Sequence, residues 1–289
     1  MQNTEVTRID SAQTLEVLNR SEIDVQISTA KQYPRTISQS LNRIEAIATV
    51  NQKTAAECFY ALPRDGKTIE GPSVRFAEIV ATCWGNLRVQ ARVIGNDGRQ
   101  ITVQGVCHDL ETNVAFSSEV RRRITNREGR TFSEDMQIVT GNAAAAIAIR
   151  NAIFKCVPVA VLSEVVEEIK RKAIGQSSED IATRREKMMA HFAKSGVTEE
   201  MVLFYLGVGS IEEIDAEGLF KMTSIRNAAK EGTTDYKQAL IDPYEASKQK
   251  AKAVEQTASA KDRVAAAMKA SAKRGAEAID DLPMFEEKD

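Results

Sequence analysis

The sequence predicts an α+β fold, in which a three-stranded antiparallel sheet is packed by long helices and followed by a small C-terminal helical module. Residues 87–94 and 100–108 alternate apolar and polar side chains on either side of Asn96-Asp97-Gly98, a sequence typical of β-hairpin turns, and residues 113–124 repeat the alternation. A nearly all-apolar segment between Ser133 and Pro158 then predicts a long, buried helix that packs on the sheet.

The stretch before the predicted sheet is mostly helical in pattern. Residues 1–30 are polar with weak periodicity and predict a flexible N-terminal arm. Apolar residues three and four apart predict a helix from Thr36, and a second helical stretch is expected over residues 54–60. Residues 64–67 predict a turn, and residues 72–84, which lie between two glycines, predict a third helix.

The second half of the chain changes in composition. We expect the core to cover residues 31–168, with a linker over residues 169–186. A small helical interaction module is predicted over residues 187–242. Residues 243–289 are rich in Ala, Lys, Gln and Ser and predict a tether that ends in an acidic tip.

Composition limits the classes of protein to which the chain can belong. Of its 289 residues, 43% are hydrophobic and 28% are charged, as in ordinary globular proteins. No apolar run approaches the ~20 residues that span a bilayer, and the N-terminal residues lack a signal-peptide core. With no CxxC pair among four cysteines and only two histidines, a metal site is not expected either. We therefore expect a cytoplasmic protein without a membrane contact.

Charge is distributed unevenly along the chain. Residues 31–155 contain 17 Lys and Arg against 12 Asp and Glu, whereas the last ten residues contain five acids and one lysine. A basic body with an acidic tip is found among proteins that bind nucleic acid.

The polar face of the predicted sheet concentrates arginine. Because side chains two apart on a strand share a face, Arg88, Arg92, Arg121 and Arg123 are expected to lie together, with Glu119 as the acid among them. A solvated sheet face that binds nothing is the alternative, although such a face would be expected to mix in more Glu and Lys. DNA contact is the interpretation that we favour.

A dense basic loop follows the third strand. Residues 121–130 contain five arginines, which are Arg121, Arg122, Arg123, Arg127 and Arg130. Guanidinium groups match phosphate oxygens well, so the loop is a candidate DNA contact. Near the end of the long helix, Arg150 and Lys155 interrupt the apolar pattern. They could line a DNA groove or pair with buried carboxylates, and both alternatives stay open.

Enzymatic motifs are not convincing. Residues 61–68 fit a relaxed phosphate-loop pattern, but Ile69-Glu70-Gly71-Pro72 delays the helix that should follow at once. Glu168-Ile169-Lys170 matches half of a nuclease signature without the partner carboxylate that metal binding needs. We therefore predict no catalytic residue, no enzyme activity and no cofactor.

The order of elements resembles the core of the RecT and Red-beta superfamily of phage single-strand annealing proteins. The strings that support the resemblance are Leu62–Lys67, Ile69–Glu78 and Ala146–Ile153. It covers roughly residues 36–165. One departure is Val157-Pro158-Val159, which stands where other members have Trp-Gly.

The resemblance implies the β-β-β-α core of annealing proteins and ATP-independent annealing of complementary single strands by rings or filaments of subunits. It implies no cofactor, and it places Arg150 and Lys155 in the DNA groove, close to the basic loop. A host single-strand binding protein or a phage exonuclease would be a further partner. The acidic tip, with Leu282, Met284 and Phe285, suits docking to such a partner. An oligomeric, scaffold-like phage protein without annealing activity is the alternative function.

Overall fold

A computed structural model describes residues 11–64, 67–126, 128–175 and 180–252 and has an α+β architecture. Its elements, in chain order, are α1 (Ser11–Gln32), α2 (Ile37–Ala48), α3 (Gln52–Glu57), β1 (Phe59–Arg64), β2 (Lys67–Pro72), α4 (Val74–Trp84), β3 (Leu87–Asn96), β4 (Gln100–Asp109), β5 (Val114–Arg123), α5 (Glu134–Cys156), α6 (Ser163–Ile174), α7 (Ile181–Ala193), α8 (Glu199–Leu206) and α9 (Ala216–Lys230).

The predicted three-stranded sheet is confirmed. Its strand order is β3-β4-β5, and both pairs are antiparallel. The β3–β4 turn places Gly98 at a φ of 78°, a conformation that favours glycine. A bulge between Val93 and Gly95 shifts the register near the end of β3. The alternation of apolar and polar residues was sufficient to locate all three strands to within two residues.

Helix α5 covers one face of this sheet, as its apolar sequence predicts. It begins where the Ser133 hydroxyl accepts a hydrogen bond from the Met136 N–H, and Glu134 and Asp135 lie in its first turn. Gly105 of β4 faces Ala148 across the contact, and a Cβ added at Gly105 would meet the Ala148 backbone. Because neither residue has a bulky side chain, the helix backbone lies directly against the strand.

The predicted irregular arm over residues 1–30 is wrong for the part that the structure describes. Residues 11–32 form helix α1, in which Ile23 and Ile27 are half-buried and Ala30 is buried. These three residues are spaced four and three apart, so they form one narrow apolar stripe. The exposed apolar residues Val17, Leu18 and Val25 lie off this stripe and obscure it in the sequence.

A second hairpin follows the second predicted helix, which is shifted toward the N-terminus. The helix expected over residues 54–60 ends at Glu57, and β1 and β2 then pair from Phe59 opposite Pro72 to Arg64 opposite Lys67. The predicted turn therefore joins two strands. This segment does not have the strand–loop–helix order that a phosphate loop requires.

The predicted domain boundary after residue 168 is also wrong. Ile169 and Ala173 of α6 are buried in the same apolar cluster as Phe59 and Phe76, although they fall in the predicted linker. Helix α9 packs on β1, and its Phe220 contacts Phe59 edge-on, with ring centroids 5.3 Å apart. Helices α6 and α9 therefore contribute side chains to the main apolar core. The C-terminal helices also form a second apolar cluster.

Several predictions fall on residues that the structure does not describe. The acidic tip, with Leu282, Met284 and Phe285, and most of the predicted tether lie outside the described residues, although residues 242–252 are helical.

Among the described helices, none is by itself long and apolar enough to cross a membrane. One pair, Glu134–Cys156 and Val159–Ile174, meets that criterion jointly, with a bend of 78° between its two parts.

Candidate nucleic-acid interface

The strand register assigns each arginine of the sheet to one of two faces. Arg88 pairs with His108, Arg92 with Gln104, Arg121 with Thr102 and Arg123 with Gln100. Residues paired across antiparallel strands point to the same face. All four arginines therefore lie on the face opposite α5, which we call the open face. Its other polar strand residues are Gln90, Gln100, Thr102, Gln104, His108, Ser117 and Glu119.

Positive charge predominates on the open face, particularly toward one end. Arg121 and Arg123 lie two residues apart on β5, and Arg92 lies two strands away on β3. All three are exposed. Neighbouring strands are about 4.8 Å apart, so long guanidinium side chains from these positions can reach one bound chain. Against four arginines, the described strands place one acid on this face, Glu119.

The other end of the open face is partly covered by α1. The Arg88 guanidinium donates a hydrogen bond to Gln26 Oε1 at 3.0 Å, and Arg88 Nε is buried. Arg88 is therefore engaged with α1 and less accessible than the other three arginines. This contact leaves the end with Arg92, Arg121 and Arg123 as the accessible part of the face.

Two loops add arginines to the accessible end. The β5–α5 loop is held against the β3–β4 turn, since the Ile124 N–H donates to the Arg99 carbonyl at 2.8 Å and Thr131 Oγ1 donates to the Gly98 carbonyl at 3.0 Å. Arg99 and Arg130 are both exposed there. The predicted contact Arg127 lies outside the described residues.

Sequence analysis missed Arg99, although a signal for it was present. Arg99 follows Gly98 at the end of the hairpin turn and therefore precedes β4 directly. In an antiparallel meander the start of β4 lies beside the end of β5, so Arg99 had to lie at that end of the sheet, opposite Ile124. Arg99 stands alone in the sequence, whereas residues 121–130 contain five arginines.

Arg122 does not belong to the open face. It pairs with Ile101, whose side chain is buried on the α5 side of the sheet, and it is half-buried. Burial lowers the pKa of Arg122. Because strand side chains alternate, the middle residue of three consecutive arginines must point away from the other two. The prediction that all three contact DNA together is therefore corrected for Arg122.

The two candidates from α5 also lie away from the open face. Arg150 is 7% exposed, lies over the Tyr60 ring at 4.6 Å and forms an ion pair with Glu231 at 3.5 Å. Of the two alternatives for Arg150, pairing with a buried carboxylate is the one that the structure has. Lys155 is exposed, and its Nζ donates to the Ser117 carbonyl at 2.9 Å, at the outer edge of β5.

Among the described residues, no group of three or more His, Cys, Asp or Glu side chains is placed to hold a metal ion. The exposed arginines can bind anions, and their spread across three strands suits a long ligand better than a compact one.

Comparison of the chain with protein-family models, curated proteins and solved structures found no match.

Proposed function

We propose that this protein binds single-stranded DNA and anneals complementary strands without ATP, as RecT and Red-beta annealing proteins do. The observation that carries the proposal is that Arg92, Arg121 and Arg123 are exposed on one sheet face, with Arg99 and Arg130 on the loops beside it. Arg92 and the two β5 arginines span the width of the sheet, with Glu119 in the same row as Arg92, and Arg99 and Arg130 add exposed positive charge on the loops at this end.

The chemistry of annealing needs little more than such a surface. Two DNA strands repel each other through their phosphates, and arginines that bind the phosphates reduce this repulsion. Glutamine, threonine and histidine side chains between the arginines can donate hydrogen bonds to the same strand. Base pairing supplies the free energy, so no nucleotide hydrolysis is required.

We also propose that subunits associate through the edges of the sheet. Among the described strands, β3 and β5 are edges of ten residues each. They expose Val93 by 60% and Phe116 by 39% of their surface. Long edges with exposed apolar residues are places where another chain can pair. A ring or filament of this kind would join several cationic surfaces into one track.

The same edges favour the second candidate function, an oligomeric scaffold that does not anneal DNA. In that case the open face would contact protein, and the sheet edges would still drive assembly. The two functions differ in one measurable property, because a scaffold would not accelerate the pairing of complementary strands.

The acidic tip carries a separate proposal about partners. Leu282, Met284 and Phe285 lie among acids and would dock into a basic, apolar pocket of a host single-strand binding protein or a phage exonuclease. A flexible tether raises the effective concentration of the annealing core near such a partner without altering the core.

A strand-annealing assay tests the proposed function. Two complementary oligonucleotides, one with a fluorophore and one with a quencher, are mixed with the protein in the presence and absence of ATP. We expect faster pairing that does not depend on ATP. The triple variant Arg92→Gln/Arg121→Gln/Arg123→Gln should lose most of this acceleration. Arg43→Gln/Lys53→Gln/Arg171→Gln, which removes the same charge from exposed positions elsewhere, should retain it. Pairing at the uncatalysed rate with the wild type would favour the scaffold.

A further inference from the structure

Basic residues that are scattered in the C-terminal sequence converge between α7 and α9. Arg184, Lys187 and His191 are spaced three and four apart on α7 and therefore share one face of that helix. Arg226 lies on the face of α9 that meets them. These four residues line a single cavity, which we call the α7–α9 pocket.

The α7–α9 pocket is small and its polar lining is cationic. Its volume is about 190 Å³, below the roughly 300–1,000 Å³ of clefts that hold drug-sized ligands. Met188, Phe192, Leu219 and Met222 supply its apolar wall, and Thr223 adds a hydroxyl. No acidic side chain is found among the described residues that line it.

Arg226 provides the sharpest sign that this pocket is built for an anion. Its Nε is buried and has no hydrogen-bond partner among the described residues. A buried, charged N–H without a partner is costly, and an anion bound beside the guanidinium would reduce that cost through its charge. Guanidinium groups donate in pairs to the oxygens of an oxyanion, which is the geometry that two arginines around a small cavity can provide.

His191 reports the electrostatic environment of the pocket. Its Nε2 lies 3.0 Å from the Tyr236 hydroxyl, which fixes the ring at the pocket wall. Burial lowers the pKa of His191, and the positive charges of Arg226, Lys230 and Lys194 lower it further. The pocket therefore lies in a region of positive potential, to which Lys230 and Lys194 contribute in addition to Arg226.

We propose that the α7–α9 pocket binds a phosphate group. A phosphomonoester carries a charge of about −1.5 to −2 near neutral pH, which balances several cations better than a carboxylate does. The group can come from a free phosphate compound or from a nucleic-acid strand, whose backbone diester carries a single negative charge and presents two non-bridging oxygens to Arg184 and Arg226. This site is separate from the open face of the sheet and does not depend on the proposed function.

Histidine NMR provides a direct test, because the chain has two histidines and only His191 lies in the pocket. The second histidine, His108, lies on the open face, and the variant His108→Gln assigns the two ring signals. The full chain is titrated with pH in chloride and in inorganic phosphate at matched ionic strength. We expect phosphate to raise the pKa of His191 by about one unit, because a nearby anion favours the imidazolium form.

Two variants and a second ligand complete the experiment. Arg226→Gln and Arg184→Gln should each abolish the phosphate-dependent shift of His191, whereas Arg171→Gln, an exposed position on α6, should retain it. An unphosphorylated oligonucleotide that shifts His191 would identify the nucleic-acid backbone as a source, and a shift with inorganic phosphate alone would identify free phosphate. A His191 titration that is identical in chloride, phosphate and oligonucleotide would overturn the proposal, while DNA binding by the open face could still stand.

Discussion

Arg150 of α5 and Glu231, the residue that follows α9, form an ion pair across the interface between the two halves of the chain. The Arg150 Nη1 and Glu231 Oε2 atoms are 3.5 Å apart, and the side chains are 9% and 10% exposed. The other Glu231 oxygen accepts a hydrogen bond from the Val74 N–H at 2.8 Å. Burial raises the pKa of Glu231, although the Val74 N–H and the charge of Arg150 oppose this. The carboxylate therefore connects α4, α5 and α9.

We predict that Glu231→Gln destabilises the protein by about 3 kcal/mol, because it leaves Arg150 buried without a counter-charge. The amide keeps an acceptor for Val74, so the loss reports the charge alone. Urea unfolding at neutral pH measures it. The double variant Arg150→Met/Glu231→Gln should recover much of the loss, since no buried charge then remains. Equal stability of the wild type and Glu231→Gln would mean that the pair is energetically irrelevant.

Removal of residues 169–289 should prevent stable folding of the remainder. Ile169, Ala173 and Phe220 fill the main core, and the Asn227 side chain donates hydrogen bonds to the carbonyls of Ala56 and Phe59 at 2.9 Å each. Burial of each large apolar side chain contributes about 1.5–3 kcal/mol, so losing these residues and their neighbours removes a large part of the ~5–15 kcal/mol by which domains are stable. Circular dichroism of residues 1–168 on heating checks this. A cooperative thermal transition would show that the core is independent after all.

The sheet and the long helix could be predicted because local patterns determine them. Alternation with period two and the Asn96-Asp97-Gly98 turn mark the strands, and Ser133 marks the start of α5. The same alternation already assigned four arginines to one face. The same alternation predicts that Arg122 points to the opposite face of the sheet. The five arginines of residues 121–130 were nevertheless interpreted as one cluster.

The remaining features depend on contacts distant in sequence. Nothing near Arg150 identifies Glu231 as its partner, because the two residues are 81 positions apart in the numbering. The sequence indicates a polar linker around Ile169 and Ala173 because the three residues between them are all charged. The α7–α9 pocket likewise arises from Arg184 and Arg226, which no local pattern relates.

Gly105→Ala should be strongly destabilising. A Cβ at this position would come within 2.7 Å of the Ile149 backbone nitrogen and closer still to the Ala148 carbonyl group. Backbone atoms cannot rotate away as a side chain can, so α5 would have to move off the sheet. We expect a loss of about 3 kcal/mol, the upper part of the usual range for overpacking. Gly95→Ala on β3 is the matched control, because its Cβ would meet only Thr102 at 3.7 Å. Similar unfolding midpoints for the two variants would contradict the prediction.

The Arg35 ion pairs should make stability depend on acid pH. Burial alone would raise the pKa of Asp109 and of Glu111. The hydrogen bonds and charge of Arg35, together with other N–H donors, outweigh burial and hold both values below their ordinary range. A carboxyl whose pKa is lower in the folded state stabilises the protein above its ordinary pKa, near 4, and this contribution is lost as the pH falls through the folded-state value.

Arg35→Met should therefore cost stability at pH 7, and the difference from the wild type should shrink as the pH falls below about 4. Urea midpoints at a series of pH values measure the effect. Arg75→Met is the control, since its ion pair with Glu78 has side chains that are 66% and 52% exposed and should contribute little at any pH. A difference that stays constant from neutral to acid pH would assign the Arg35 effect to packing alone.

The affinity for single-stranded DNA should fall steeply with salt, and the steepness should depend on the open face. Each phosphate that an arginine neutralises on a single strand releases counterions and contributes a slope of about −0.7 in log K against log salt. Replacing Arg92, Arg121 and Arg123 by Gln should therefore reduce the magnitude of the slope by about two. Fluorescence anisotropy with a labelled oligonucleotide at several salt concentrations measures the slope.

Arg122→Gln is the informative comparison, because the Arg122 side chain lies half-buried on the α5 side of the same strand. It should leave the slope nearly unchanged, and an equal loss from Arg122→Gln and Arg121→Gln would mean that DNA does not distinguish the two faces of the sheet.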